Sequence, residues 1–377
     1  MKHTFVEYHL FQLLRRFDNQ HLPLDLFISQ YFRAHKALGA QDRRTLAEAV
    51  YGMVRWQLLL DYLIGPNPSW EKRFQLYRNF QPTQYLTVSS IPLHVRVSCP
   101  KPLFDLLVQD YGESYACQLA QINTTTAPIM VRVNPLKTTR DALLAKWAEQ
   151  YDAMTAKESP YGIEFKKRIA LFALPEFQEG LFEVQDEASQ LVASLVQTQP
   201  KDQVLDYCAG AGGKSLAFAH HMASGGQLYL HDVRPAILDQ ARKRFKRAGI
   251  QNVQFLEPGH PQLERLKGKL DWVLVDVPCS GTGTLRRHPD QKWKFTLTWL
   301  EGLIHLQRQI VEQTLPFLKP TGKLVYATCS ILKKENEEQR EYFLKNLPLI
   351  SYGNIFQSHP AIGEKDGFFA CIFQRKS

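Results

Sequence analysis

At 377 residues the chain is longer than one ordinary domain, which predicts a catalytic domain with at least one accessory domain. It is 44% apolar and 22% charged, enough for sizeable cores, and its formal charge of +9 gives a physical reason to expect a polyanionic partner. Six cysteines scattered without a C-x-x-C pair exclude a disulfide framework and a zinc site, so no metal is expected and a reducing cytoplasm fits best.

Residues 1 to about 65 read as helical. Phe5, Tyr8, Leu10, Phe11 and Leu14 follow helical spacing, and "QDRRTLAEAVYGMVRWQLLLDYLI" keeps its apolar groups on one stripe until "GPNP" stops it. The first twenty residues alternate apolar with charged groups, so neither a signal peptide nor a membrane span is expected.

Further on, "APIMVRVNP" reads as a strand ended by Pro135, "TTRDALLAKWAEQ" as a helix begun by Thr138 or Thr139, and "GIEFKKRIALFAL" as strand material. From Val204 the texture becomes strand, turn, helix, repeated. "VLDYCA", "QLYLHDV", "VQFLEP", "DWVLVDVP" and "KLVYATCS" are short apolar runs, and "PAILDQARKRFKRAG" between two of them has Pro235 at its start and Gly249 past its end. This alternation predicts an α/β fold with a mostly parallel sheet covered on both faces. The expected division is a helical domain over 1–120, a small α+β module over 121–180 and a Rossmann-like domain over 181–377.

In such a sheet, ligands bind outside the carboxyl ends of the strands. "VLDYCAGAGGKS" brings Gly210, Gly212 and Gly213 after the first strand, where backbone amides can approach a ligand closely, and a helix opens near Ser215. Asp232 follows Gly212 by 20 residues, where an acid grips a ribose. Lys214 lacks the spacing of a phosphate loop, and a bare strand-to-helix turn would also use these glycines. Asp206 at the strand end resembles adenosyl-binding turns, which makes S-adenosylmethionine the expected cofactor. The expected cofactor-binding set is Asp206, Cys208, Ala209, Gly210, Gly212, Gly213, Lys214, Asp232, Arg234, Glu257 and Asp276. For the Cys208 thiol itself, packing is the favoured role.

"VDVPCSGTG" and "VYATCSILKKEN" place Cys279 and Cys329 after the fourth and fifth strands, so both thiols are expected to face one pocket. Burial as small hydrophobes is the ordinary alternative. A thiol beside an adenosyl cofactor suits methylation of pyrimidine carbon 5, because a thiolate added to carbon 6 makes carbon 5 electron-rich. An unperturbed thiol, with a pKa of about 8.5, is only roughly 3% ionised at neutral pH, so nearby cations matter. Asp276, three residues before Cys279, has the chemistry to hydrogen-bond N3 and the amino group of a cytosine; a turn-capping carboxylate is its alternative.

"DYCAGAGGKS", "DVPCSGTGTLRRHPDQKW" and "YATCSILKKENEEQ" resemble, in order, the motifs of the Sun/Fmu family of RNA cytosine-5 methyltransferases. "RVNPLK", "LFEVQDEAS" and "DGFFACIFQRK" extend the likeness from about residue 100 to the end, and "DRRTLAEAVYGMVRW" is similar to the NusB-like helical domain that precedes some members. The resemblance implies a 5-methylcytosine product in ribosomal RNA, with Cys329 as nucleophile, Cys279 helping release, and Asp276 and Lys214 lining the active site. Transfer RNA is the alternative substrate, and a non-catalytic RNA-binding assembly factor is the alternative class. The family's Ala-Pro-Gly-Gly-Lys is departed from at Ala211, and the third strand ends in Glu257 and Pro258 where an aspartate near Gly259 is expected.

Arg286, Arg287, His288, Lys292 and Trp293, just after Cys279, predict an RNA-binding cluster of phosphate contacts and base stacking. Lys166, Lys167 and Arg168, and in the first domain Arg43, Arg44 and Arg55, would extend it. The target base must be single-stranded or flipped out. No long heptad pattern is present, so a monomer without membrane attachment is expected.

Overall fold

A computed structural model describes residues 4–17, 22–222 and 225–376. The chain divides into two compact units, Met1–Thr126 with Thr284–Trp299, and Ala127–Gly283 with Leu300–Ser377.

The first unit is helical. Phe5–Phe17, Leu24–Ala34, Ala40–Ile64, Trp70–Tyr77, Lys101–Tyr111 and Glu113–Ile122 are its longer helices. Leu13, Leu14, Leu46, Val50 and Met53 recur at helical spacing and are fully buried together. Gly52 lets two helices close up, since a Cβ there would stand 1.8 Å from the Tyr77 hydroxyl.

Thr284–Trp299 belongs to this unit, which corrects the expected basic surface after Cys279. Arg286 is fully buried and Lys292 is 3% exposed. Lys292 Nζ donates to the carbonyls of Arg55 (2.7 Å) and Ser98 (2.6 Å), Trp293 Nε1 donates to Val54 O (2.9 Å), and Arg55 Nη2 donates to Arg286 O (3.0 Å). Long cationic side chains here satisfy main-chain carbonyls that burial would otherwise leave unpaired. Arg287 and His288 are half-buried, and Arg55 is itself buried.

The second unit holds two sheets. In the smaller, β1 (Ile129–Val133), β2 (Ala153–Thr155), β3 (Gly162–Phe165) and β4 (Phe182–Val184) run antiparallel in the order β2-β3-β1-β4. Thr139 caps the intervening helix Arg140–Trp147 by accepting from Ala142 N at 3.2 Å. Two expectations shift here. The strand over "GIEFKKRIALFAL" stops at Phe165, and β4 lies beyond the expected boundary at 180.

The larger sheet contains β5 (Gln203–Asp206), β6 (Gln227–His231), β7 (Val253–Leu256), β8 (Leu270–Asp276), β9 (Leu318–Thr328), β10 (Leu349–Ser358) and β11 (Phe368–Arg375), in the order β10-β11-β9-β8-β5-β6-β7. β5 to β9 are parallel, and β10 and β11 are antiparallel additions at one edge. Val204, Leu274 and Val325 pack into one buried cluster, while their neighbours Leu205, Val273, Val275 and Leu324 pack into another. Period-two alternation therefore buries both faces, as the unbroken apolar runs require. The chain steps outward from β5 to β6 and β7, then returns to place β8 on the other side of β5. That reversal opens a crevice at the carboxyl ends of β5 and β8.

Candidate active site

The loop after β5 turns on glycines: Gly210 and Gly212 have φ of +51° and +75°. A Cβ on Gly212 would also meet Phe245 at 2.6 Å. Gly210 N donates to Asp232 Oδ2 at 2.9 Å, tying this loop to the end of β6. Arg234 meets the same carboxylate through Nε (2.9 Å) and Nη2 (3.1 Å). Burial pushes the Asp232 carboxyl up, but the Arg234 side chain, the Arg234 backbone and the Gly210 N–H outweigh it and hold the group below its ordinary value.

Asp206, 1% exposed, accepts from Ser215 Oγ at 2.7 Å, while its Oδ1 has no partner. Burial pushes this carboxyl up to about 7 despite the Ser215 bond. Around these groups lies a cavity of about 610 Å³. Of the expected cofactor set it is lined by Asp206, Cys208, Ala209, Gly210, Gly213, Lys214, Asp232, Arg234 and Asp276. Gly212 shapes the loop without lining the cavity. Glu257, exposed past the end of β7, does not line it either. Tyr207, His231, Val233, Pro278, Leu306 and Gln313 line it too, residues that sequence reasoning did not single out. Tyr207 and His231 stack at 4.4 Å. Burial raises the Cys208 thiol well above its ordinary range, as a packing role requires.

Lys214, nine-tenths buried, points its Nζ at Asp276 Oδ2, 2.5 Å away. Burial disfavours the ammonium, but the Asp276 charge and hydrogen bond outweigh it and leave the Lys214 pKa raised. Cys279 Sγ and Cys329 Sγ stand 3.3 Å apart. The hydrogen bond with Cys279 lowers the Cys329 pKa, and the Lys214 charge acts in the same direction, against burial and the Asp276 charge. Holding that bond to Cys329, and burial after it, raise the Cys279 thiol. Cys329 is thus the sulfur prepared as a thiolate.

Beneath the thiols lies a polar network that sequence reasoning quoted without assigning it a role. Glu335, fully buried, accepts from Ser280 N (2.9 Å), Ser280 Oγ (2.5 Å), Ser330 Oγ (2.6 Å) and Gln307 Nε2 (3.0 Å). Asn336 accepts from Thr328 Oγ1 (2.6 Å) and donates to Ser330 O (2.9 Å). Each cysteine is followed by a serine held on the same carboxylate, so Glu335 fixes one loop to the other. The available signal was an acid and an amide a few residues beyond a strand-end Cys-Ser pair.

Two family models match: one described as 16S rRNA methyltransferase RsmB/F over residues 193–374, and one described as a ferredoxin-like domain of RsmF/B-like methyltransferases over residues 99–171. A probable ribosomal RNA small subunit methyltransferase B of Synechocystis sp. is 30% identical over 393 residues, covering 89% of this chain and 88% of the relative. The chain belongs to the RsmB/F family of RNA methyltransferases. Ribosomal RNA small subunit methyltransferase B of Klebsiella pneumoniae subsp. pneumoniae is 32% identical, covering 80% of this chain and 72% of the relative. Among solved structures, NSun6 from Pyrococcus horikoshii with SFG shares the fold at a TM-score of 0.65 and 19% identity, over 74% of this chain and 98% of that one.

The cofactor of this RsmB/F member is S-adenosylmethionine. The cavity fits it: a glycine loop leaves room for the ligand, the Asp232 carboxylate is ionised at the ribose position, and Asp206 Oδ1 is a buried polar oxygen without a protein partner. Among the described residues no helix is long and apolar enough to cross a membrane.

Proposed function

We propose that this RsmB/F member methylates carbon 5 of a cytosine in ribosomal RNA through a covalent bond between Cys329 and carbon 6. The observation that carries the reading is the 3.3 Å pair of thiols, whose contact lowers the Cys329 pKa and raises that of Cys279. Cofactor bound in the cleft supplies an electrophilic methyl group.

The protein's own groups supply the rest. Cys329 Sγ adds to carbon 6 while a proton carried on Asp276, which Lys214 orients, passes to N3, and the other Asp276 oxygen accepts from the amino group. Carbon 5 becomes nucleophilic and takes the methyl group. A water molecule takes the carbon 5 proton, the C5–H pair forms the C5=C6 double bond, the C6–S pair leaves on Cys329 Sγ as a thiolate, and N3 returns its proton to Asp276. The Cys279 thiol donates a hydrogen bond to the departing sulfur, which eases its release. Asp232, Arg234 and the Gly210 loop hold the cofactor. Exposed Lys166, Lys167 and Arg168 beside the small sheet offer phosphate contacts to the RNA strand, and Arg287 and His288 of the first unit remain candidates.

The test is a denaturing gel of wild type, Cys279→Ala and Cys279→Ala/Cys329→Ala incubated with S-adenosylmethionine and small-subunit ribosomal RNA. The single variant is expected to give a slow, nuclease-sensitive band that is absent from the double variant. Methylation by wild type with no trapped band in Cys279→Ala would overturn the division of labour between the thiols. A methylated product with the group on any atom but cytosine carbon 5 would overturn the reaction itself.

A further inference from the structure

The helix Glu187–Ser194 borders two recesses of the second unit. Ser189 lines the cofactor cleft, whereas Gln190, Leu191 and Ser194 line a separate cavity of about 390 Å³. At its base is Arg132 of β1, 5% exposed, with no hydrogen-bond partner at Nε or Nη1. Burial pushes its pKa down to about 9, so the guanidinium is still charged at neutral pH.

The nearest carboxylate is already engaged. Glu183, opposite Arg132 across the strands, accepts from Arg244 Nε and Nη2 through Oε2, and from Arg247 Nη2 through Oε1. Three guanidinium groups therefore share one carboxylate. Among the described residues the cavity lining contains no acid. It presents the Tyr161 hydroxyl, with His220 Nε2 3.2 Å away, the partnerless buried Thr198 Oγ1, and His221, whose ring lies 3.8 Å from that of His220. Burial, followed by the neighbouring positive charges, lowers His220 to about 4, so it meets a ligand as a neutral ring.

We propose that this cavity binds a nucleotide through its phosphate group, with Arg132 as the charge partner and the Tyr161, His220 and His221 rings against the sugar or base. A phosphate brings acceptors and negative charge to a recess rich in donors and short of anions. The absence of carboxylates argues against a cation. The volume lies in the range of small-ligand pockets and exceeds what a bare phosphate fills. The nucleotide is either free or a link in an RNA strand, and the two sources are separable.

The full chain, with its cofactor cleft saturated by S-adenosylhomocysteine, is titrated calorimetrically with inorganic phosphate, cytidine 5′-monophosphate and a pentacytidylate. Arg132→Met and Ser194→Glu are compared with wild type. Ser194 is exposed and its hydroxyl bonds only within its own helix, so Ser194→Glu adds a carboxylate at the rim without disturbing the core. Both changes are expected to weaken binding by about tenfold or more, and Ser194→Glu decides the matter if Arg132→Met does not fold. A Ser194→Glu-sensitive signal with cytidine monophosphate identifies a free nucleotide, and one seen only with pentacytidylate identifies the RNA strand. A ligand bound equally by wild type and Ser194→Glu, or the lack of binding by all three probes, would overturn the proposal.

Discussion

Asp206 is a carboxyl group whose burial has been left partly uncompensated. Its pKa rises from 3.8 to about 7 on folding, so the folded protein holds a proton there that the unfolded chain releases. The stability linked to this group is full below the unfolded value and is lost as pH rises through the folded one. Cofactor-free protein is therefore expected to lose stability between about pH 4 and pH 7 more steeply than Asp206→Asn, as read by urea denaturation at successive pH values. Parallel profiles would show that Oδ1 is satisfied in solution and that the carboxyl is ionised throughout. Cofactor binding is the natural remedy for the orphan oxygen, so the gap between the two profiles should shrink when S-adenosylhomocysteine is present.

At the scale of elements, the reactive edge is two loops clamped on one side chain. Removing the Glu335 carboxylate leaves four buried donors without their shared acceptor. Glu335→Ala is expected to cost about 2 to 4 kcal/mol in chemical denaturation and to abolish the Cys279→Ala adduct band. Glu335→Gln should retain most stability, because the Ser280 and Ser330 hydroxyls can rotate to accept from the amide. Equal losses in the two variants would mean that the charge matters more than the linkage.

Much of this edge was legible beforehand. A parallel sheet buried on both faces writes unbroken apolar runs, and the residues at their ends then share one rim. This is why Cys279 and Cys329 could be grouped from spacing, with Asp276 just before Cys279, whereas Lys214 joined them only through the family resemblance. Glu335 could not, because its role exists only where Ser280, Ser330 and Gln307 converge. Arg286, Lys292 and Trp293 were misread for a related reason: a basic aromatic loop has the same composition whether it is wet or whether its cations end on carbonyls of residues such as Ser98, far away in sequence. Three-residue β4 carries too little pattern to place, and β10, with most of its residues exposed, has no clear face to reveal it. The third-strand acid has no substitute at Glu257, since the cleft is lined by residues at the ends of β5, β6 and β8 and on the helix Leu297–Thr314, and by none from β7.

For the whole molecule, the positive charge and the two-unit division meet in Thr284–Trp299. Leu285, Arg286, Lys292 and Phe295 of this segment are buried, and Lys292 and Trp293 end on carbonyls of Val54, Arg55 and Ser98, although the chain on either side of it folds in the second unit. A truncation beginning at Ala127 is expected to be insoluble or to expose apolar surface, detectable as increased binding of a hydrophobic dye, whereas full-length protein should not bind it. Replacing 284–299 in the truncated chain with a short glycine-serine linker should restore solubility. If the plain truncation is monomeric and binds no dye, the segment has no dependence on the first unit.

Seen as inheritance, a segment sewn into the helical unit from within the catalytic gene changes what recombination can do. Most accessory domains are joined by one covalent link and can be exchanged at that point. Here a crossover at residue 126 would deliver a methyltransferase that still carries a fragment of its former companion's interior. Lineages that exchange the helical unit must change two separated stretches of the gene together, which favours descent of the two units as a single heritable block.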